Sequence, residues 1–435
     1  MLNLKIYAQR RRQLMRMMGE DAIAILPAAP VQLRNRDVEQ PFRQDSDFYY
    51  LSGFPEPEAV IVLVPGRKQG RFILFCRDRD PKMETWHGRR FGPQGAVERF
   101  GADEAHPIGR LDDVLPDLMA QCESVYYTIG LNPEFDKHVM HCVNDLRRQS
   151  RGGKHAPYEF VSLDYLLHDM RLFKSRDELR LMRRAAKISV QAHIRAMRHC
   201  QPGMMEYELE AEILHEFHRN GAGWAYPSIV GSGANSCILH YTENDQSMQD
   251  GDLVLIDAGA EYDGYAADIT RTFPVNGEFS EAQREIYELV LAAQDAAIAK
   301  AVPGNHWNDP HHAAVKVLTR GMVELGLLKG KPAKLIREGA YAKYYMHRTG
   351  HWLGMDVHDV GDYKVDDNWR LLEKGMTMTV EPGLYIPHGS RGAKRWWDIG
   401  VRIEDDIVIT KDGNELLTKG LPRTAEEVEA VMAGA

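Results

Sequence analysis

Residues 252–273 constrain the fold more than any other stretch, because two aspartates, Asp257 and Asp268, flank a turn at nearly equal distances. Residues 253–256 and 269–273 are rich in β-branched and aromatic side chains, and residues 261–264 carry turn chemistry, so the segment reads as a β-hairpin. With the turn centred between Tyr262 and Asp263, Asp257 lies directly opposite Asp268 on one face. Like charges so placed destabilise a sheet by a few tenths to about 1 kcal/mol, and by more if buried. A proton or a cation between them would relieve the repulsion. So would solvation on an exposed face, or a bulge that separates the pair. The hairpin alone leaves these readings open.

A chain of 435 residues is too long for one compact core, which predicts two domains. The net charge of −9 argues against a general nucleic-acid binder and against an anionic membrane surface. Apolar runs such as residues 22–26 and 59–64 are too short to span a bilayer. Arg10, Arg11 and Arg12 are followed by a mixed helical segment rather than a signal-peptide core. Cys76, Cys122, Cys142, Cys200 and Cys237 are widely spaced and odd in number, as expected of free thiols in a reducing cytoplasm.

Along the first half, residues 4–19 read as an amphipathic helix. Residues 22–26, 46–51, 59–64, 71–76 and 125–129 read as strands, and residues 111–122 and 133–148 as helices. Ser175 with Glu178 forms a capping-box pattern at the start of a long helix to about His199, and another helix follows from about Glu206 to Asn220. The domain boundary is placed at about residue 172.

Three further segments hold potential ligands. His347, His351 and His358 fall within twelve residues, beside Trp352. Glu381 ends a strand and is followed at once by Pro382 and Gly383. Residues 400–409 read as one strand with Arg402, Glu404, Asp405 and Asp406 among aliphatics, and a carboxylate inside such a strand is costly unless it is paired or coordinated. Taken singly, the histidines fit hydrogen-bonded core positions, Glu381 a surface strand end, and the acidic trio a protected sheet edge. Taken together, Asp257, Asp268, Glu381 and Glu404 supply four negative charges, matching two divalent cations, with His351 as a neutral donor. That oxygen-rich set favours Mn²⁺ or a similar ion over structural zinc.

In type, order and approximate spacing these five residues resemble the metal ligands of the pita-bread metallopeptidases. Residues 42–51 and 84–90, with 231–236 leading to His240 and Tyr241, extend the likeness over essentially the whole chain to the bacterial aminopeptidase P (Xaa-Pro aminopeptidase) family. The resemblance implies an α+β fold, with a smaller creatinase-like α/β domain over residues 1–172 serving substrate access and oligomer contacts. A pita-bread catalytic domain would follow over 173–435. It also implies a cytoplasmic hydrolase that removes the residue before a penultimate proline and uses two divalent ions, Mn²⁺ being the expected metal. Asp257 would chelate one ion, His351 and Glu381 the other, with Asp268 and Glu404 bridging.

Glu381 would also act as base. His240, His347 and His358 match active-site histidines. Arg402, two residues before Glu404 and so on the same strand face, would bind substrate or orient carboxylates, a structural ion pair to the acidic cluster being the competing reading. Tyr385 would line the substrate pocket. Trp86 resembles a tryptophan placed over a neighbouring subunit's site in homotetramers, a core tryptophan being the competing reading. The expected partners are peptides with proline second and further copies of the chain in a dimer or tetramer, with neither nucleic acid nor membrane. One departure stands out: Arg348 follows His347 where the family often has glycine. Prolidase, which takes only dipeptides, is the alternative enzyme. A catalytically inactive pita-bread binding protein is the alternative from another class.

Overall fold

The computed structural model describes residues 2–120 and 122–434. Contacts divide the chain into two compact units between Met170 and Arg171. The sequence alone put the division at 172.

The N-terminal unit is built on a six-stranded mixed sheet, in the order Glu104–Pro107, Phe72–Cys76, Val60–Leu63, Ala22–Pro27, Ser124–Tyr126, Glu159–Val161. Its core joins Ile23, Ile25, Val62, Ile73 and Val125 to Leu115, Val139, Val143 and Leu146 from the helices Leu111–Met119 and Pro133–Arg148. Of the residues expected in the first of these helices, Gln121 lies outside the described residues. Residues 46–51, expected as a strand, are instead the helix Ser46–Ser52. The Asp45 carboxylate accepts from Phe48 N at 2.8 Å, and Gly53, at φ 64°, closes the last turn. These two caps override the β-propensity of the tyrosines between them.

In the C-terminal unit the helix Arg176–His199 opens with the expected box. Glu178 Oε2 accepts from Ser175 N at 2.9 Å and Ser175 Oγ from Glu178 N at 3.4 Å. Apolar residues of this helix and of Glu206–Arg219, Glu281–Ile298 and Asp309–Glu324 share one core with Ile256, Phe273, Val380 and Ile407 from short antiparallel sheets and with Ile269 and Ile403 from the segments beside them. Leu253–Asp257 lies between Ile229–Ser232 and Thr270–Pro274. Thr377–Val380 pairs with Asp405–Ile409, and Gly383–Ile386 with Ile399–Arg402.

Two expected registers differ in the structure. Asp257 faces Thr270, not Asp268, because the turn falls on Asp263 and Gly264. Their φ values of 55° and 79° suit the tight turn that Asp-Gly favours between strands. Residues 400–409 are not one strand. The chain leaves the Ile399–Arg402 ladder, passes Ile403 and Glu404, and enters a different sheet at Asp405. Glu404 N then donates to Thr270 O at 3.0 Å, beside Asp257.

Between the two ladders of the hairpin, residues 257–259 approach residues 267–269 closely. A side-chain carbon on Gly259 would stand 1.7 Å from Ala267 O. Gly259→Ala must therefore force the segments apart, at a cost of about 1–3 kcal/mol. We expect a lowered unfolding midpoint in urea or heat. Gly223→Ala, which meets no atom within 4 Å, is the near-neutral control.

Candidate metal centre

Each candidate ligand sits where a ladder ends or breaks. Asp257 closes its strand, Asp268 lies in the irregular segment before Thr270, Glu381 follows Thr377–Val380, and Glu404 fills the gap between two strands. His351 is held opposite Glu381's strand, where Thr379 N donates to His351 O at 3.0 Å.

Asp257 and Asp268, although not cross-strand partners, converge on one phenol. Tyr226 Oη is 2.6 Å from Asp257 Oδ1 and 2.5 Å from Asp268 Oδ1. Asp268 Oδ2 lies 3.2 Å from His351 Nε2, and Glu381 Oε1 lies 3.7 Å from the same nitrogen. His351 Nδ1 is 2.9 Å from Trp352 O, which can only accept, so Nδ1 carries a hydrogen; Nε2 faces the carboxylates, donating to Asp268 when the ring is charged and offering a lone pair when it is neutral. One donor atom each from Asp268, His351 and Glu404 lie within 4.8 Å of one another. Asp257 and Glu381 join this trio through Tyr226 and His351.

Arg402 supplies the fixed positive charge. It donates to Asp257 Oδ2 at 2.6 Å, Thr270 Oγ1 at 3.1 Å and Tyr385 Oη at 3.0 Å. Thr270 Oγ1 in turn donates to Glu404 Oε2 at 2.6 Å. His347 Nδ1 donates to Arg348 O at 2.7 Å, so its Nε2, 2.9 Å from Tyr385 Oη, accepts from that phenol. Asp405 and Asp406 are buried rather than on a guarded edge. Asp405 pairs with Arg271 at 2.8 Å, and Asp406 Oδ2 accepts from Asp268 N at 3.0 Å.

Charge crowding shows in the proton affinities. Burial, reinforced by Asp268, Glu381 and Asp257, pushes Glu404 well above the usual carboxylate range. Burial lifts Glu381 to about 7 against the pull of His351. Burial also raises Asp257 despite Arg402. Asp268 feels the same burial, but the hydrogen bond and charge of His351 outweigh it and leave it low. His351 is correspondingly raised to about 9, because Asp268 and Glu381 outweigh its burial. Burial, then Arg402, drives His347 down to about 3, so it is neutral. The protein alone thus cannot ionise all four carboxylates together near neutral pH. A donor set of four carboxylates and one imidazole nitrogen, short of positive charge, fits divalent cations.

The centre opens on a cavity of about 850 Å³, lined by all five candidate ligands and by His240, His347, His358 and Arg402. The rings of His358 and His351 are 4.3 Å apart, edge to face. Tyr385, expected on the pocket wall, is fully buried and not among the lining residues. It reaches the site only through the hydroxyl shared by His347 and Arg402. Trp86 lies in the last turn of the helix Pro81–His87 and is 77 % exposed, so it is not a core residue. Sequence reasoning missed Tyr226, Thr270 and Asp406 as supports. Thr270 could have been found from the correct turn position, whereas nothing around Tyr226 marks it locally.

Two family models match the chain: "Metallopeptidase family M24" over residues 180–411 and "Aminopeptidase P, N-terminal domain" over residues 7–126. An Xaa-Pro aminopeptidase of Escherichia coli is 47 % identical over 430 residues, 98 % of this chain and 97 % of the relative. Among solved structures, the aminopeptidase PepP of Pseudomonas aeruginosa superposes with a TM-score of 0.99 at 57 % identity, covering 100 % of this chain and 98 % of the other. Escherichia coli aminopeptidase P in complex with substrate superposes at 0.97 with 46 % identity, covering 100 % and 99 %.

Tyr226 contacts both Asp257 and Asp268 through a single hydroxyl; where such carboxylates hold a metal, loss of a support of this kind typically costs about 10- to 100-fold in metal affinity. Tyr226→Phe should therefore release divalent metal at about 10- to 100-fold weaker chelator strength than the wild type. Metal retained after dialysis against graded chelators measures this, and equal retention would remove Tyr226 from the support.

Proposed function

The chain belongs to metallopeptidase family M24, joined to an aminopeptidase P N-terminal domain, and from that premise we infer that it is an Xaa-Pro aminopeptidase. It is a hydrolase that releases the first residue of peptides whose second residue is proline. The observation that carries this reading is the convergence of Asp257, Asp268, His351, Glu381 and Glu404 on one cavity, in a chain matched end to end by such enzymes.

These five residues are the proposed ligands of two divalent ions, with Mn²⁺ the proposed metal on the strength of the oxygen-rich donors. Such ions, when bound, supply Lewis acidity and bring the pKa of water toward neutrality. Glu381, on the cavity wall, takes up the proton of the attacking water. The nitrogen of an Xaa-Pro bond is tertiary in the peptide and carries no hydrogen, so it must gain a proton as the C–N bond breaks to leave as the secondary amine of proline. Glu381 can return the proton it accepted.

His347 has both ring nitrogens engaged and is neutral, so its part is to fix the wall beside Glu381, whose Oε2 lies 3.7 Å from His347 Nδ1. Orientation of the substrate carbonyl and proton relay then fall to His240 and His358, both exposed on the cavity wall. Arg402 orients Asp257 and keeps Tyr385 aimed at His347. Tyr385 thereby supports the substrate site from behind.

The N-terminal domain is proposed to govern substrate access and oligomer contacts, with exposed Trp86 at a contact within a dimer or tetramer. A cytoplasmic location agrees with five free cysteines. Among the described residues no helix is long and apolar enough to cross a membrane.

Hydrolysis of the tripeptide Ala-Pro-Ala should stop on chelation and return with Mn²⁺. Activity persisting in demonstrably metal-free protein would overturn the assignment. In the same assay, cleavage of the dipeptide Ala-Pro without the tripeptide would mark a prolidase instead. Glu381→Ala should lower kcat by about 10²- to 10⁴-fold. His358→Ala should lower kcat with metal content unchanged by elemental analysis, and metal loss there would make His358 a ligand.

A further inference from the structure

The cavity is polarised. One part of its wall carries the four carboxylates and His351, while another carries Arg348, Lys364 and Trp369, with Asp362 as the acidic residue beside them. Lys364 and Trp369 are cross-strand partners in a two-stranded hairpin, Lys364–Val365 with Asn368–Trp369. Its turn residues, Asp366 and Asp367, have φ of 47° and 63°, as a tight two-residue turn demands. The hairpin is braced from behind, where His306 Nδ1 lies 2.6 Å from Trp369 O and Trp307 N donates to Arg370 O at 2.8 Å.

The guanidinium carbon of Arg348 lies 4.8 Å from the centroid of the Trp369 ring, and Lys364 Nζ lies 4.9 Å from it. One indole thus holds two cations. Among the described residues neither cation pairs with a carboxylate within 4.0 Å. Exposed cations usually owe nothing to a ligand. These two share one ring, lack a partner and line the same cavity as the metal ligands.

Resting on the aminopeptidase reading, we propose that Arg348 and Lys364 bind a carboxylate of the substrate on the C-terminal side of the proline. It is either the terminal carboxylate of a short peptide or an aspartate or glutamate side chain. The cavity then reads the polarity of a peptide: its ammonium end turns to the acidic wall and its anionic end to the basic one. Short or acidic Xaa-Pro peptides are the preferred substrate class.

Four peptides test this with the metal-loaded enzyme: Ala-Pro-Ala-Ala, its C-terminal amide, Ala-Pro-Glu-Ala-amide and Ala-Pro-Lys-Ala-amide. The free acid, the glutamyl amide or both should exceed the neutral amide in kcat/KM. The glutamyl-to-lysyl ratio should reach about tenfold at low salt and shrink as salt is added. Which of the two acids is favoured identifies the source of the carboxylate. In Arg348→Gly with Lys364→Met, and in Lys364→Met alone, that ratio should fall towards unity, and a general loss of activity cancels from it. A ratio near unity in the wild type, or an undiminished ratio in the variants, overturns the proposal while leaving the aminopeptidase intact. Failure to cleave any of the four overturns both.

Discussion

Mutual repulsion of Asp257, Asp268, Glu381 and Glu404 is the constraint on which the C-terminal unit turns. Among the described residues two arginines line their cavity, and of these Arg402 donates to Asp257 while Arg348 stands over Trp369. Isolated from cations, the cluster answers by holding protons: Glu381 and Glu404 are raised and His351 is charged. Buried charge left uncompensated costs several kcal/mol per ion, so such crowding persists only where protons or cations offset it. Divalent ions, if held there, would take the place of those protons and leave His351 neutral. The cations that would relieve the electrostatic conflict would then be the ones that supply the chemistry.

The backbone meets this demand by interrupting its sheets. In a continuous hairpin Asp268, two residues from Asp257's partner Thr270, would share Asp257's face but stand further along the ladder. The irregular stretch between the two ladders lets the two carboxylates converge on Tyr226 instead, and the close approach at Gly259 keeps the segments together. Glu404 gains its place in the same way, where the chain changes sheets and Thr270 receives it through both backbone and side chain. Regular ladders around these gaps, packed into one apolar core, make the irregular positions rigid. Ligands on breaks and a scaffold of ladders are two parts of one solution.

This division explains what could be read from sequence. The identity of the acidic residues was legible because carboxylates among Val and Ile are chemically conspicuous, and the Ser175–Glu178 cap because its pattern is local. The register was not, since moving the turn from Tyr262–Asp263 to Asp263–Gly264 depends on a left-handed aspartate. Residues 46–51 misled for the opposite reason, because their strand-like tyrosines are outvoted by caps on either side. Tyr226 was invisible: it approaches Asp257 and Asp268 from the segment before a neighbouring strand, a relation that only tertiary structure creates.

Arg402 ties the two halves of the site together. Its guanidinium reaches Asp257 on one side and Tyr385 on the other, and Tyr385 donates onward to His347. Each link has one possible direction, because the guanidinium only donates and His347 Nδ1 is already committed to Arg348 O. The chain of bonds therefore fixes the tautomer of His347 and, through the backbone, the base of the loop that carries Arg348. A basic wall whose root is anchored to the same arginine that orients a metal-facing carboxylate keeps its bearing relative to the reacting centre. Under the proposed mode of substrate binding, that coupling is the route by which a charge far along the peptide would influence how squarely the bond after its first residue meets Glu381.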